Sequence, residues 1–212
     1  MIRQPSGSRP KRRGLARPDI LDRLAGALRK EGGPSSDFDL NPDTHLPPDR
    51  KLRPGAVLIG VCAETAQLVL TKRSMHLKHH PGQVALPGGK VDPTDADAAA
   101  AALREAEEEV ALPRGQVEVL GSLAAHETVT SFMITPVIGL FHGQPELRPE
   151  PGEVDEIFYV PLTHVTDPAN FRIEGRVWQG RRRYYFTVPY GPYYIWGATA
   201  RILRGLAERM KP

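Results

Sequence analysis

The sequence predicts an α/β/α sandwich built on a mixed sheet. Three observations carry that reading. Short apolar runs bounded by turn residues recur between Ala56 and Val188, as strands do. One long amphipathic stretch, Asp97 to Leu112, interrupts them just after a Gly88-Gly89 turn. A second helical stretch, Tyr194 to Met210, closes the chain. Strands interleaved with helices of this length bury their apolar faces best as layers.

Taken in order, Asp19 is placed to cap a short helix running to about Lys30, with Ile20, Leu24 and Leu28 on one side. Residues 33–52 read as an irregular connector to a domain spanning 53–212. Ala56–Cys62 and Gln67–Thr71 read as strands around a Glu64-Thr65-Ala66 turn. Ser74 to Gly89 is polar and histidine-rich and reads as a long functional loop. Beyond the long helix, Val117–Ala124, Ile134–Phe141 and Glu156–Pro161 read as strands, and Thr163–Asn170 as a helical turn or loop. Arg172–Trp178 and Arg183–Val188 form a hairpin around Gln179-Gly180-Arg181-Arg182.

Composition narrows the function. The 212 residues suffice for one well-buried domain. A single cysteine, Cys62, excludes a disulfide framework or a Cys-based zinc site within one chain, and its apolar surroundings predict a buried thiol. No apolar run approaches the ~20 residues that span a bilayer, and the N-terminus lacks a secretory apolar core, so the expected location is cytoplasmic. Residues 1–32 carry nine Lys/Arg and three Asp/Glu, net +6, against +3 for the whole chain; residues 33–212 are therefore net −3. Arg3, Arg9, Lys11, Arg12, Arg13 and Arg17 sit among Pro, Gly and Ser, which predicts a mobile basic tail. No aromatic residues are interleaved for base stacking, which argues against nucleic acid as a partner.

The long helix is the richest segment chemically. At about 100° per residue, with Leu103 set at 0°, Ala99, Ala106 and Val110 share one apolar stripe. Glu105, Glu108 and Glu109 fall on the opposite side, at about 200°, 140° and 240°, at mutual spacings of three and four. Three neighbouring carboxylates repel one another, and a divalent cation such as Mg²⁺ or Mn²⁺ relieves that repulsion with the oxygen ligands it prefers. A solvated acidic helix is the competing reading of the run alone. Gly88-Gly89 lets the backbone approach a ligand closely, and Arg104 can brace a carboxylate with a forked hydrogen bond. Asp92, Asp95 and Asp97 add charge where the helix dipole favours it.

The stretch Arg104-Glu105-Ala106-Glu107-Glu108-Glu109-Val110-Ala111-Leu112 resembles the second half of the Nudix box, with Ala111 in place of a glycine. The first half departs: five residues after Gly89 comes Asp95 rather than Glu, and eight rather than seven residues separate it from Arg104. Upstream, Leu70-Thr71-Lys72-Arg73-Ser74 through Gly82-Gln83-Val84-Ala85-Leu86-Pro87-Gly88-Gly89 is similar to the block that marks the coenzyme A pyrophosphatase subfamily. That subfamily shares the altered spacing. Glu153-Val154…Phe158…Pro161-Leu162 and Trp196-Gly197-Ala198-Thr199-Ala200 resemble its later segments, so the likeness covers about residues 53–210.

The resemblance implies a Nudix fold with a catalytic loop-helix-loop, a Mg²⁺ or Mn²⁺ cofactor and a small-molecule substrate, coenzyme A. Glu105 and Glu109 are the expected main metal ligands, with Glu108 sharing a metal or binding through water and a carbonyl near Gly88 completing the shell. Arg104 is expected to orient carboxylates. Glu153 is favoured over Glu105 as general base, with a plain acidic-loop role competing. Arg73, Lys78 and His80 are candidates for the phosphates; Gln83, Gly88, Gly89 and Trp196 complete the expected substrate set. Arg181, Arg182 and Arg183 form a tip that either reaches the 3′-phosphate or is merely solvated. Tyr193 and Tyr194, like Trp196, either line the adenine or pantetheine site or pack in the core. His76, His79 and His80, lacking a cysteine, make a weak zinc set. Hydrolysis of another nucleoside diphosphate derivative and a non-catalytic binding module are the rival functions. A homodimer is an expectation that no apolar strip in the sequence locates.

Overall fold

The computed structural model describes residues 17–47, 49–143, 145–178 and 180–211. Five of the six tail cations, Arg3 to Arg13, lie outside the described residues. In chain order the elements are α1 (Arg17–Arg29), β1 (Ser35–Ser36), β2 (Arg53–Cys62), β3 (Gln67–Arg73), β4 (Val84–Ala85), β5 (Gly88–Lys90) and α2 (Ala98–Val110). Then come β6 (Val117–Ser122), β7 (His126–Glu127), β8 (Phe132–Phe141), β9 (Val154–Pro161), α3 (Leu162–Val165), β10 (Arg172–Trp178), β11 (Arg181–Thr187) and α4 (Gly197–Arg209).

Strand β2 is the spine. It pairs in parallel with β8 along its whole length, Arg53 opposite Phe132 through Cys62 opposite Phe141. Its other edge is shared by two antiparallel neighbours. β3 takes the far end at Val61 and Cys62, and β5 takes the near end at Gly55 to Val57. β9 and β4 extend β3, β6 and β7 pair with β8, and β1 adds in parallel to β7. β10 and β11 form a separate hairpin.

Side chains alternate across a strand with period two, and β2 shows what that does here. Leu58 and Cys62 enter one core with Ala101, Ala102, Ala106 and Val110 of α2. Ile59 and Val61 enter the other, with Ile20 and Leu24 of α1 and Leu203 and Leu206 of α4. Each such burial contributes about 1.5–3 kcal/mol, and a spine apolar on both faces requires a helical layer on each. The sandwich is therefore α/β/α with a mixed sheet, as the sequence predicts. Cys62 is buried. No helix among the described residues is long and apolar enough to cross a membrane.

The differences from the sequence reading lie in short pieces. The Ser74–Gly89 loop contains β4 and the start of β5, and the connector contains β1. Two- and three-residue strands carry no periodicity of their own; distant partners create them. The hairpin turn is two residues shorter than expected, because Trp178 already pairs with Arg181. The final helix starts at Gly197, because Ile195 and Trp196 are held extended: the Val188 amide donates to the Ile195 carbonyl at 2.9 Å, and Thr187 bridges to Trp196.

Candidate active site

β5 brings the backbone under α2. Gly88 has φ +154°, and a Cβ there would lie 2.3 Å from the Ala56 carbonyl oxygen, so only glycine allows β5 to lie this close to β2. A Cβ on Gly89 would sit 2.5 Å from the carboxylate of Glu105, which therefore lies directly on the bare backbone. The Gly88 amide donates to Glu109 Oε2 at 3.0 Å.

Helix α2 aims those carboxylates. Asp97 caps its start, accepting from the Ala100 amide at 2.8 Å. Ala111 closes it in the left-handed conformation, φ 54°, at the position where the family pattern has glycine. Its buried face is Ala101, Ala102, Ala106, Glu109 and Val110, rotated from the expected stripe, of which Ala99 and Leu103 are only half-buried, so that Glu109 lies on the buried side with Ala106 and Val110. Glu109 is only 5% exposed. Burial pushes its pKa up to about 7, against the Gly88 amide and the Arg73 guanidinium, whose Nη1 lies 3.8 Å from Oε1. The charges of Glu105 and Glu153 raise it further. Burial also raises Glu105, opposed by Arg104.

Arg104 uses all five of its donors. Nε and Nη2 fork onto Asp95 at 3.0 Å each, Nη1 reaches Glu105 at 3.1 Å and Glu108 at 3.0 Å, and Nη2 also reaches the Lys90 carbonyl at 3.0 Å. Asp95, 6% exposed at its side chain, is held below the usual carboxylate range by this contact. The role expected for Asp95, a charge for the helix dipole, is thus corrected: it braces Arg104 across the inserted residue. Arg104 bonds to Glu105 and Glu108, and its fork goes to Asp95.

The three-carboxylate cluster expected from helix geometry is not assembled. Glu108 is 56% exposed and turned to Arg104, Glu105 is shared between Arg104 and Gly89, and Glu109 is bound to Gly88. Among the described residues no three His, Cys, Asp or Glu side chains converge tightly enough to hold an ion. The donor chemistry nevertheless fits a hard divalent cation: Glu105 and Glu109 are partly desolvated carboxylates, the oxygen groups such an ion prefers, and the missing side chain of Gly89 is what lets Glu105 lie against the backbone. Glu153 lies in the turn before β9. Its carbonyl accepts from the Ser74 amide at 2.8 Å, and Glu150 N bonds to the Glu109 carbonyl at 2.9 Å, which ties this turn to the end of α2.

A cavity of about 420 Å³ is lined by Arg73 and Gly88, both of which contact Glu109, although no carboxylate of α2 is itself in the lining. Of the expected substrate residues, Arg73, His80, Gln83, Gly88 and Trp196 line it; Lys78 and Gly89 do not. Lys78 points outward on the exposed loop, and Gly89 backs Glu105 instead. Partial burial and the Arg73 charge hold the His80 ring below the usual histidine value. Of the three tip arginines only Arg183 lines the cavity, since strand alternation sends Arg182 to the other face. Tyr193 stacks on Phe158 with centroids 3.6 Å apart and bonds to Glu156, so it packs in the fold. Tyr194 donates to Glu174 at 2.7 Å.

Several lining residues escape the sequence reading: Asp37, Asn41, Thr128, Thr130 and Arg176. Asp37 and Asn41 come from the supposed connector. His126, fully buried, holds them there: its Nδ1 lies 2.9 Å from Ser35 Oγ and its Nε2 3.1 Å from Asp37 Oδ1. The other Asp37 oxygen accepts from the Val129 amide at 3.0 Å. Asn41 clamps the hairpin, donating to the Tyr184 carbonyl at 2.8 Å and accepting from its amide at 2.9 Å. A turn-rich segment with Ser, Asp and Asn is the only local signal these residues offer.

A sandwich with glutamates buried over a glycine turn is the architecture of the Nudix class, and comparison with known proteins agrees. The NUDIX domain family matches residues 51–179. The chain is 43% identical over 156 residues to the Nudix hydrolase NudL of Escherichia coli (strain K12), covering 73% of this chain and 81% of that one. It is also similar to the NUDIX domain of Shewanella oneidensis NrtR solved with ADP ribose, at 14% identity and TM-score 0.48, over 82% of this chain and 95% of that one. A C. elegans Ap4A hydrolase is similar at 17% identity and TM-score 0.45, over 51% and 80% of the two chains. The chain belongs to the Nudix family and is a Nudix hydrolase.

Proposed function

We propose that this Nudix hydrolase splits the diphosphate of coenzyme A into 4′-phosphopantetheine and adenosine 3′,5′-bisphosphate. One observation carries the substrate choice. The upstream block that resembles the coenzyme A subfamily supplies Arg73, His80 and Gln83 to the cavity wall, and Arg73 reaches from that wall to within 3.8 Å of Glu109. Glu105 and Glu109 would hold the Mg²⁺ or Mn²⁺, and Glu108 would join them on release from Arg104. Bound there, the metal neutralises diphosphate oxygens and acidifies a water.

The chain's own groups do the rest. Arg104 keeps Glu105 and Glu108 in place through its anchor on Asp95. Arg73 offers a cation to the diphosphate at the Glu109 end. Glu153, on the turn fastened to α2, takes the proton from the attacking water. Water adds to one phosphorus as the bridging P–O bond breaks, and the departing phosphate leaves as an anion. Trp196, whose ring lies under Arg176 at 4.6 Å, offers a flat apolar wall to the rest of the substrate. A cytoplasmic location fits a substrate of this kind.

The test is incubation with Mg²⁺ or Mn²⁺ and, separately, coenzyme A, acetyl-coenzyme A, NADH, ADP-ribose and 8-oxo-dGTP, with products identified by mass. Selective release of 4′-phosphopantetheine and adenosine 3′,5′-bisphosphate is expected. Preferential cleavage of another member would keep the carboxylate chemistry and overturn the substrate. Absence of all cleavage with metal bound would overturn the catalytic reading in favour of a binding role.

A further inference from the structure

The cavity has a second cationic pole, far along the chain from the carboxylate helix. Arg176 of β10 and Arg183 of β11 are directly opposed in the hairpin register, and both line the cavity. Strand alternation puts their side chains on the same face as Glu174 and Tyr185. That face is turned to the start of α4: Arg176 lies over the Trp196 ring at 4.6 Å, and Tyr185 meets the same ring edge-on at 5.2 Å. The hairpin's other cations, Arg172, Arg181 and Arg182, are not in the lining. Arg73 marks the first pole, 3.8 Å from Glu109. His80 stands where the fields of Arg73 and Arg176 both reach it.

We propose that Arg176 and Arg183 form a subsite for a second phosphoryl group of the substrate, a phosphomonoester remote from the diphosphate that is cleaved. Residues directly opposed across an antiparallel pair bring their side chains within reach of one another. Two guanidiniums so placed can share one dianion, each through a forked pair of N–H···O bonds. The Trp196 ring, 4.6 Å from the Arg176 guanidinium, restricts that side chain's rotamers. The subsite thus selects nucleotides that carry both a diphosphate and a separate phosphomonoester. This deepens the coenzyme A reading and rests on it for the identity of the substrate, since the 3′-phosphate is such a group.

The experiment compares kcat/KM for coenzyme A and 3′-dephospho-coenzyme A in the wild type, in the Arg176→Gln/Arg183→Gln double variant, and in an Arg181→Gln/Arg182→Gln control from the same hairpin. Calorimetric binding of adenosine 3′,5′-bisphosphate and adenosine 5′-monophosphate runs alongside as a readout independent of turnover. The wild type is expected to favour the 3′-phosphorylated substrate and ligand by roughly tenfold or more, the scale of a charge-assisted bond. The Arg176/Arg183 variant is expected to bring both ratios towards one, and the control to retain them. A wild-type ratio near one in both assays overturns the subsite while leaving the hydrolase reading intact. Equal loss in the control overturns it too, because a diffuse hairpin charge would then be the cause. If the wild type cleaves neither compound, the coenzyme A reading fails, and the binding ratio alone decides the subsite: retained preference that the double variant loses supports it, and no preference overturns it.

Discussion

The carboxylate site and the cavity that adjoins it through Gly88 and Arg73 are built in opposite ways. At the carboxylate end, Gly88, Gly89, Asp95, Arg104, Glu105 and Glu109 all fall within one continuous stretch, and a turn followed by a helix brings them together. At the hairpin end, Asp37, Asn41, Thr128, Arg176, Arg183 and Trp196 come from four separate regions of the chain. They meet only because β1 adds to β7 and Asn41 clamps Tyr184. The carboxylate site is thus one local unit of a turn and a helix, whereas the cavity wall at the hairpin is assembled by long-range pairing. That division permits the hairpin end to vary without disturbing the carboxylate end.

Substitutions can break this contrast, starting where the expected effect is largest. Glu109→Gln and Glu105→Gln should each lower kcat by roughly a thousandfold or more, since each removes charge from a site worth several kcal/mol of transition-state stabilisation. Circular dichroism should stay native, because the amide oxygen that Glu109→Gln introduces can still accept from Gly88. Full activity in both variants would sink the carboxylate assignment.

The second test is on stability. Glu109 is raised by burial from 4.5 to about 7 in the folded protein. A raised carboxyl binds its proton more tightly when folded, so its contribution is present below about pH 4.5 and is lost as pH rises through 7. Metal-free protein should therefore lose on the order of 3 kcal/mol between pH 4.5 and 8 from this group. Glu109→Gln should remove that part of the slope, and Mg²⁺ should oppose the loss in the wild type. Thermal unfolding across that pH range in EDTA and in Mg²⁺ measures both; identical slopes for variant and wild type would contradict it.

At the hairpin end, His126→Leu leaves Ser35 and Asp37 without their buried partner. It should cost about 2 kcal/mol in chemical denaturation and raise KM more than it lowers kcat, because β1 and Asp37 lose their anchor while Glu109 keeps its own. A loss confined to kcat would erase the distinction between the two ends. The smallest effect concerns the end of α2. Ala111 holds a left-handed conformation that costs a non-glycine residue about 1 kcal/mol, so Ala111→Gly should raise stability by up to about that much with kinetics unchanged. A fall in melting temperature would show that the helix end is not strained.

The same contrast explains what can be read without coordinates. The helix, and the burial of Ala106 and Val110 on one side of it, follow from a 3.6-residue period acting within a few turns, whereas the burial of Glu109 beside them does not. Ala56–Cys62 and Ile134–Phe141 are legible as strands because apolar runs of that length between turn residues have few other uses. Glu108 shows the limit of that approach: helix spacing places it beside Glu105 and Glu109, but an arginine one turn back draws it to the surface. Asp95 shows another, since the fork it accepts from Arg104 spans an inserted residue that spacing alone scores as a departure.

By itself the sequence determined the layered α/β class, the carboxylate helix over the Gly88-Gly89 turn, and the buried cysteine, because each depends on periodicity or backbone freedom within a short span. Only the tertiary structure decided that Asp37 and Asn41 belong to the cavity, that Arg176 stands beside Arg183 in its wall, and that Tyr193 packs away from it. Those outcomes depend on strand register and on one buried histidine, contacts between residues some ninety positions apart for which no local pattern codes.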